Sequence, residues 1–276
     1  MRVRGWKAET GVFLGVAFVA AGILGAVQPA TGVPPVVVQL TQFGPAAGVL
    51  VVALLWPSRI RARLAGALPR RMSPPAYEAG RAPGPERAAR PGVRLLLTAP
   101  LIIVLAAGGY AWWSGDPVVS DPRGLEHSFA LIAAAQLVGA CGEEVGWRCL
   151  LQPMLADRFE PLAASVLVGA VWGVWHVGVF AQAPAYAAGF LTATVAMSVV
   201  LGLALERVRS GRLLFAGGFH ALVNLGMLLF MDEESGAVAP MVLFAGACLV
   251  AAAPWVLRAV GRAPADTIAA ARRSAL

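Results

Sequence analysis

Charged residues are scarce in this 276-residue chain: they make up 13% of it, against about 25% in soluble domains. Of the 22 basic residues only Lys7 is a lysine. The shortage of charge excludes an ordinary soluble enzyme, and the apolar content of 58% excludes a disordered chain. The three cysteines, Cys141, Cys149 and Cys248, lie in apolar segments without metal-ligand spacing, so we predict buried apolar side chains rather than disulfides or a redox motif.

The apolar residues fall into stretches near the length of about 20 residues that a transmembrane helix needs. We predict an all-α, polytopic membrane protein with about eight transmembrane helices in a single membrane domain, residues 1–276. The first span follows basic residues and is interpreted as a retained signal anchor. The predicted spans are residues 10–28, 36–56, 95–113, 128–155, 161–180, 186–205, 213–231 and 238–256.

The distribution of basic residues orients these spans. The segments on the side of the N-terminus carry 20 basic residues, and those on the other side carry one, Arg123. The positive-inside rule therefore places both termini in the cytoplasm. The net charge of +7 is explained by topology, and no nucleic-acid partner is predicted. The Arg- and Pro-rich segment 57–92 is predicted to be a flexible cytoplasmic loop. The excess of arginine and alanine is typical of a GC-rich bacterial genome, so we expect a multi-pass protein of the plasma (inner) membrane.

Three charged residues lie inside the fourth span, where each costs roughly 2.5–3.5 kcal/mol. They are Glu143, Glu144 and Arg148. Glu144 and Arg148 are four residues apart, so they share a helix face and can pair. Glu143 points about 100° away and needs a partner from another helix, a water-filled cavity or a proton. Even a purely structural pair of Glu144 and Arg148 can orient Glu143.

Other strongly polar residues lie in two further spans. His176 is in the fifth and His220 in the seventh, with Asn224, the one asparagine of the chain, four residues later on the same face. Counting from the cytoplasmic turns places Glu143 and His176 about 20 Å deep and His220 about 10 Å deep. The long fourth span is expected to protrude into the cytoplasm and bring them to one level. Each histidine alone is typical of a hydrogen-bonded core residue, whereas the combination favours a functional cluster.

Two kinds of chemistry suit this cluster. A desolvated carboxylate can act as a general base near neutral pH, while a histidine and an amide stabilise an oxyanion. Two imidazoles and a carboxylate equally form a three-ligand zinc site with an open position for water. Both arrangements hydrolyse an acyl bond without a protein nucleophile. The sequence has neither a His-Glu-x-x-His motif nor a Gly-x-Ser-x-Gly motif.

Three short motifs follow one another on the fourth, fifth and seventh spans. They are Glu143-Glu144-x-x-x-Arg148, Trp172-x-x-x-His176 and His220-x-x-x-Asn224. In this order they resemble the motifs of CPBP intramembrane proteases, the type II CAAX prenyl endopeptidases (Ras-converting enzymes) with their abortive-infection and bacteriocin-processing relatives. The resemblance covers about residues 128–231 and implies a protease core there. The chain departs from the family at Trp172, where Phe is commonest, and at Cys149, where Gly is usual.

The resemblance implies catalytic roles that leave the mechanism open. Glu143 would activate the attacking water, with His176 as proton partner or ligand. His220 and Asn224 would stabilise the tetrahedral oxyanion. Alternatively, His176, His220 and Glu143 would hold a zinc ion. The family is described both as metalloproteases and as glutamate-dependent proteases, and two histidines and a carboxylate satisfy either description.

The resemblance also implies supporting residues and a substrate class. Glu144 would pair with Arg148 and support Glu143, and Trp172 would pack beside His176. The substrate would be a membrane-embedded or lipidated, CAAX-like peptide or protein, although true prenyl-CAAX cleavage is less expected in a bacterial chain. Two other classes remain open. One is a non-catalytic membrane scaffold or bacteriocin-immunity protein, and the other is a proton-coupled transporter that uses Glu143 and the histidines as a relay.

Overall fold

A computed structural model describes residues 5–69, 85–117, 119–231 and 236–261, with the backbone alone at 85–90. In these ranges all regular secondary structure is helical and no strand is assigned, which confirms the predicted all-α class. Two 3₁₀ turns, Leu40–Phe43 and Val177–Ala181, and one π-helical segment, Trp147–Leu151, connect neighbouring helices. The α-helices are α1 Trp6–Thr31, α2 Gly44–Leu55, α3 Pro57–Arg63, α4 Pro85–Ser114, α5 Phe129–Gly146, α6 Gln152–Ala156, α7 Pro161–Trp175, α8 Pro184–Leu205, α9 Arg212–Phe230 and α10 Val238–Val260.

Six helical stretches in the described ranges are long and apolar enough to cross a membrane. The second and fifth predicted spans correspond to shorter apolar helices, Leu40–Leu55 and Pro161–Trp175. The chain is therefore a multi-pass helical membrane protein. The number of eight spans and the cytoplasmic location of the termini stay predictions, and residues 1–4 and 262–276 lie outside the described ranges. The six long stretches are Trp6–Thr31, Pro91–Ser114, Phe129–Ala156, Pro184–Leu205, Arg212–Phe230 and Val238–Val260.

Both ends of the segment predicted as a flexible loop, 57–92, are helical. Pro57 begins α3 and Pro85 begins α4, as suits a residue whose fixed φ matches the first helical turn. Helix α3 is anchored to α1 because the buried Glu9 carboxylate pairs with Arg59 at 2.8 Å. The abundance of arginine suggested a solvated loop, but this arginine has a buried acidic partner. Residues 70–84 lie outside the described part of the chain.

The helices pack as a series of neighbours around the π-helical segment Trp147–Leu151. Helix α1 packs on α2, α2 on α5, α5 on α9, α9 on α4, α4 on α10, α10 on α8 and α8 on α7. The π-helical segment contacts α3, α5, α6, α7 and α9, so it lies at the centre of this arrangement. Such segments are frequent at functional sites. The carboxylates of the fourth span lie directly before it.

Glycines allow the helices that carry the polar residues to approach closely. A Cβ atom on Gly146 of α5 would lie 2.6 Å from Cβ of Pro45 in α2. A Cβ atom on Gly169 of α7 would lie 2.7 Å from Cβ of Ser198 in α8. Small residues at such contacts are the usual way in which membrane helices pack. Since the glycine face of α5 lies against α2, its carboxylates face α7 and α9.

Candidate active site

Glu143 is a buried carboxylate near the C-terminal end of α5, with 2% of its surface exposed. Its Oε2 accepts a hydrogen bond of 2.8 Å from the indole Nε1 of Trp172 on α7. Among the described residues Oε1 has no hydrogen-bond partner. Glu143 was expected to need a partner from another helix, and Trp172 is that partner. The sequence predicted only a packing role for this indole.

Glu144 forms the centre of a buried ionic network. Its Oε2 accepts a hydrogen bond of 2.9 Å from Arg148 Nε, and its Oε1 accepts one of 2.9 Å from His220 Nδ1. The predicted pair of Glu144 and Arg148 is therefore present. Arg148 Nη1 also donates to Ser198 Oγ at 2.7 Å, and that hydroxyl donates to the carbonyl of Ser165 at 2.6 Å. The serines had no sequence signal, because small hydroxyl residues are common at membrane helix interfaces.

His176 ends a helix instead of lying inside one. The fifth span was predicted to continue to residue 180, but α7 ends at Trp175 and His176 has φ −77° and ψ 61°. Its N–H donates to the carbonyl of Gly173 at 3.2 Å, and a 3₁₀ turn follows. Hydropathy did not reveal this boundary, because the turn is as apolar as the helix. Fifteen residues of helix span about 22 Å, less than the ~30 Å hydrocarbon core, so a helix of this length that begins at one membrane surface ends inside the core.

Both histidines present the same ring atom to the site. Nδ1 of His176 lies 2.9 Å from the carbonyl oxygen of Trp172, and Nδ1 of His220 lies 2.9 Å from the Glu144 carboxylate. Since a carbonyl and a carboxylate can only accept here, these partners assign the Nδ1 atoms as donors. In each histidine, Nε2 is therefore the ring nitrogen that remains available to contact a substrate, a water molecule or a metal ion.

Trp172 lies between the polar groups of three helices. The centroid of its ring is 5.9 Å from that of His176 and 5.2 Å from that of His220. The guanidinium carbon of Arg148 lies over the ring, 5.0 Å from the centroid. Glu143 is within electrostatic reach of Arg148 and of both imidazoles. The structure therefore brings these four predicted site residues together around one indole.

Asn224 is hydrogen-bonded to Gln136, a residue that was not predicted from the sequence. Its Nδ2 donates to Oε1 of Gln136 on α5 at 3.0 Å, and the described residues show no hydrogen bond from it to another predicted site residue. Gln136 lies seven residues before Glu143, two turns along the same face. A glutamine at that spacing in an apolar span is the signal that could have identified it.

The interaction of Gln136 with Asn224 predicts a small, coupled effect on stability. Gln136→Leu is expected to lower the free energy of unfolding by about 0.6 kcal/mol, the average for hydrogen bonds between membrane helices. Denaturant titration in detergent micelles measures it. Asn224→Leu and the double variant complete a double-mutant cycle. Strictly additive effects of the two substitutions would show that the amides are not coupled.

The zinc site predicted from Glu143, His176 and His220 has suitable donor chemistry. Both imidazoles present Nε2, and a carboxylate orients His220 in the way that ligating histidines are commonly oriented. However, no three His, Cys, Asp or Glu residues in the described ranges form a group that could hold a metal ion. The ion therefore stays a prediction, and the mechanism proposed below takes no step through it.

Residues 125–226, which contain both carboxylates, both site histidines and Asn224, match the family model described as "Type II CAAX prenyl endopeptidase Rce1-like". This segment is therefore similar to that family, and we refer to it as the Rce1-like segment. The match confirms the resemblance that the three motifs predicted. The bounds of the Rce1-like segment differ by a few residues from the predicted range 128–231.

Two proteins of Staphylococcus aureus are similar to a larger part of the chain. Lysostaphin resistance protein A of strain MRSA252 is 26% identical over 146 residues, which are 52% of this chain and 35% of that protein. The same protein of strain bovine RF122 / ET3-1 has the same identity and coverage. The chain thus spans about a third of the length of these curated relatives.

Proposed function

We propose that the protein is an intramembrane endopeptidase that hydrolyses a peptide bond with water activated by Glu143. One observation carries the proposal: a buried carboxylate has one oxygen held by Trp172 and the other without a hydrogen-bond partner among the described residues, and two imidazoles pack against the same indole. The carboxylate lies within the Rce1-like segment. Such a group can remove a proton from a water molecule bound beside it.

In the first step, Oε1 of Glu143 takes a proton from water while the water oxygen bonds to the carbonyl carbon of the substrate. The carbonyl oxygen becomes an oxyanion. His176 Nε2 accepts a hydrogen bond from the same water and orients it. In the second step the carbon–nitrogen bond breaks, and the proton on Glu143 moves to the leaving nitrogen. The carboxylate is thereby regenerated.

His220 and Asn224 stabilise the oxyanion in this mechanism. The Asn224 amide has a second N–H besides the one that binds Gln136, and a protonated His220 has an N–H at Nε2. With His220 protonated, the formal charges of Glu143, Glu144, Arg148 and His220 sum to zero. A neutral set of groups is the least costly to bury. Fixed donors at an oxyanion typically contribute about 10²–10³-fold to kcat each.

The substrate class follows from the depth of the site. We take the site to lie within the membrane layer, because Glu143 belongs to a helical stretch long and apolar enough to cross a membrane and α7, which ends before His176, is shorter than the hydrocarbon core. The scissile bond must then be brought into that layer. We propose a membrane-embedded or lipidated, CAAX-like peptide or protein as substrate, and the plasma (inner) membrane of a bacterium as the location. Neither a soluble peptide nor a nucleic acid meets this requirement.

Peptide cleavage by the purified full chain tests the proposal. The substrates are single-span peptides and C-terminal peptides with and without a prenyl group, presented in detergent micelles and in liposomes. Mass spectrometry identifies the products. We expect the wild type to cleave at least one of these peptides at a single bond, and Glu143→Gln to cleave the same bond at least about 10²-fold more slowly. A folded wild type that cleaves no peptide in either environment would contradict the protease proposal.

Chelation separates the two mechanisms. With 1,10-phenanthroline or EDTA present, a glutamate-dependent enzyme is expected to retain its full cleavage rate. Loss of cleavage that zinc restores would assign the metal role to Glu143, His176 and His220. The isomer 1,7-phenanthroline, whose two nitrogen atoms cannot bind one ion together, controls for nonspecific effects of the chelator.

A non-catalytic role in resistance is the second candidate, and the name of the Staphylococcus aureus relatives, lysostaphin resistance protein A, favours it. A scaffold or immunity protein would protect lysostaphin-treated cells equally well as wild type and as Glu143→Gln. A protease would protect them only with the carboxylate in place. Survival of cells that express each form at equal levels distinguishes the two.

A further inference from the structure

We propose that Trp172 is a positioning residue that holds the Glu143 carboxylate in place through its indole N–H. This inference rests on the proposed function, since it assigns Trp172 a task in presenting the general base. The observation behind it is the hydrogen bond of 2.8 Å from Trp172 Nε1 to Glu143 Oε2. Within the described ranges this indole is the hydrogen-bond partner of the Glu143 carboxylate, and an indole nitrogen can only donate.

The indole is itself fixed, so its N–H has a defined direction. Trp172 is 2% exposed. The rings of His176 and His220 pack against it at centroid distances of 5.9 and 5.2 Å, and Arg148 covers one face at 5.0 Å. A side chain held on several sides presents its donor at low entropic cost, which is the condition for preorganising a catalytic group.

The hydrogen bond also keeps Glu143 apart from the neighbouring ion pair. Arg148 binds Glu144 through Nε and Ser198 through Nη1, while its buried Nη2 has no hydrogen-bond partner among the described residues. Glu143 is within electrostatic reach of this guanidinium. A carboxylate released by Trp172 would turn to Nη2, and a guanidinium that binds it would weaken it as a base.

The residue type is specific for this task. Among the aromatic side chains that could pack here, phenylalanine is smaller and has no N–H. Trp172→Phe therefore removes the donor and keeps an aromatic ring between the histidines. The isosteric 3-benzothienylalanine, which carries sulfur in place of N–H, removes the donor and preserves the full ring system.

The kinetic test compares these two variants with Trp147→Phe. Trp147 is fully buried beside Trp175, and its Nε1 has no hydrogen-bond partner among the described residues, so the same substitution removes no bond. We expect both variants at 172 to lower kcat about 10-fold with KM unchanged, as for loss of one hydrogen bond to a charged group. Trp147→Phe is expected to retain the wild-type kcat. Full kcat with benzothienylalanine at 172 would overturn the proposal.

A spectroscopic test does not depend on activity. In ¹⁵N-tryptophan-labelled protein in micelles, the indole resonance of Trp172 is assigned by its loss in Trp172→Phe. We expect its proton to shift upfield in Glu143→Ala, with the Trp147 indole resonance unchanged. An unshifted Trp172 proton would overturn the proposal. This test needs no substrate. If the Trp172 proton shifts between the wild type and Glu143→Ala but the wild type cleaves no peptide, the result counts against the proposed function and still establishes the contact.

Discussion

Glu143→Gln is expected to lower kcat for peptide cleavage by about 10²–10⁴-fold, the usual contribution of a general base. Glutamine has the shape of glutamate but cannot take a proton from water. Its amide oxygen can still accept the Trp172 N–H, and the pair of Glu144 and Arg148 is unaffected. The fold and the melting temperature should therefore stay unchanged, and the loss should appear in kcat alone.

Rates on one identified substrate, together with thermal unfolding in the same detergent, measure both parts of this expectation. Glu160→Gln is a matched control, because Glu160 is an exposed carboxylate that precedes α7. It should retain the wild-type rate and melting temperature. If Glu143→Gln retained the wild-type kcat, the proposed water activation by Glu143 would be wrong. If it lost both rate and stability, the carboxylate would be structural.

Arg148→Met has the largest expected effect on stability, a decrease of about 3–5 kcal/mol in the free energy of unfolding. Both partners of this ion pair are fully buried, with side-chain exposures of 0%. Methionine keeps the apolar volume but leaves the Glu144 carboxylate with His220 as its remaining hydrogen-bond partner. The substitution also removes the guanidinium N–H whose hydrogen bond the Ser198 hydroxyl accepts. An uncompensated buried charge is the costly outcome.

Denaturant titration in micelles tests this value against the double variant Glu144→Gln/Arg148→Met. Removing both charges abolishes the uncompensated carboxylate, so the double variant should be more stable than Arg148→Met. Arg207→Met, at an exposed arginine, should change the free energy by less than about 0.5 kcal/mol. A double variant no more stable than the single one would show that Glu144 is not the group that Arg148 compensates.

The candidate residues could be recognised in the sequence because charge inside an apolar span is expensive. A membrane helix retains such residues only with partners or a function, so Glu143, Glu144 and Arg148 stood out without any structure. The four-residue spacing of Glu144 and Arg148 predicted their pairing, because a single helix determines that distance. The histidines were identified by the same reasoning, and the structure packs both against Trp172.

Contacts between helices could not be predicted in the same way. The sequence indicated no donor for Glu143 and no partner for Asn224, because Trp172 and Gln136 lie 29 and 88 residues away. The end of α7 before His176 was also missed, since an apolar 3₁₀ turn has the hydropathy of a helix. The segment 57–92 was predicted as a loop from its charge, although a buried Glu9 holds part of it in place.

The all-helical, multi-pass membrane class could be predicted from the amino-acid sequence, because long apolar stretches combined with so little charge are typical of membrane spans. The sequence also determined which residues are out of place there. Which oxygen each donor meets depends on the packing between helices: Trp172 donates to Glu143, His220 to Glu144 and Asn224 to Gln136. The physical reason is that spacing along one helix is set by the backbone, whereas partners on different helices depend on how the glycine-lined surfaces pack.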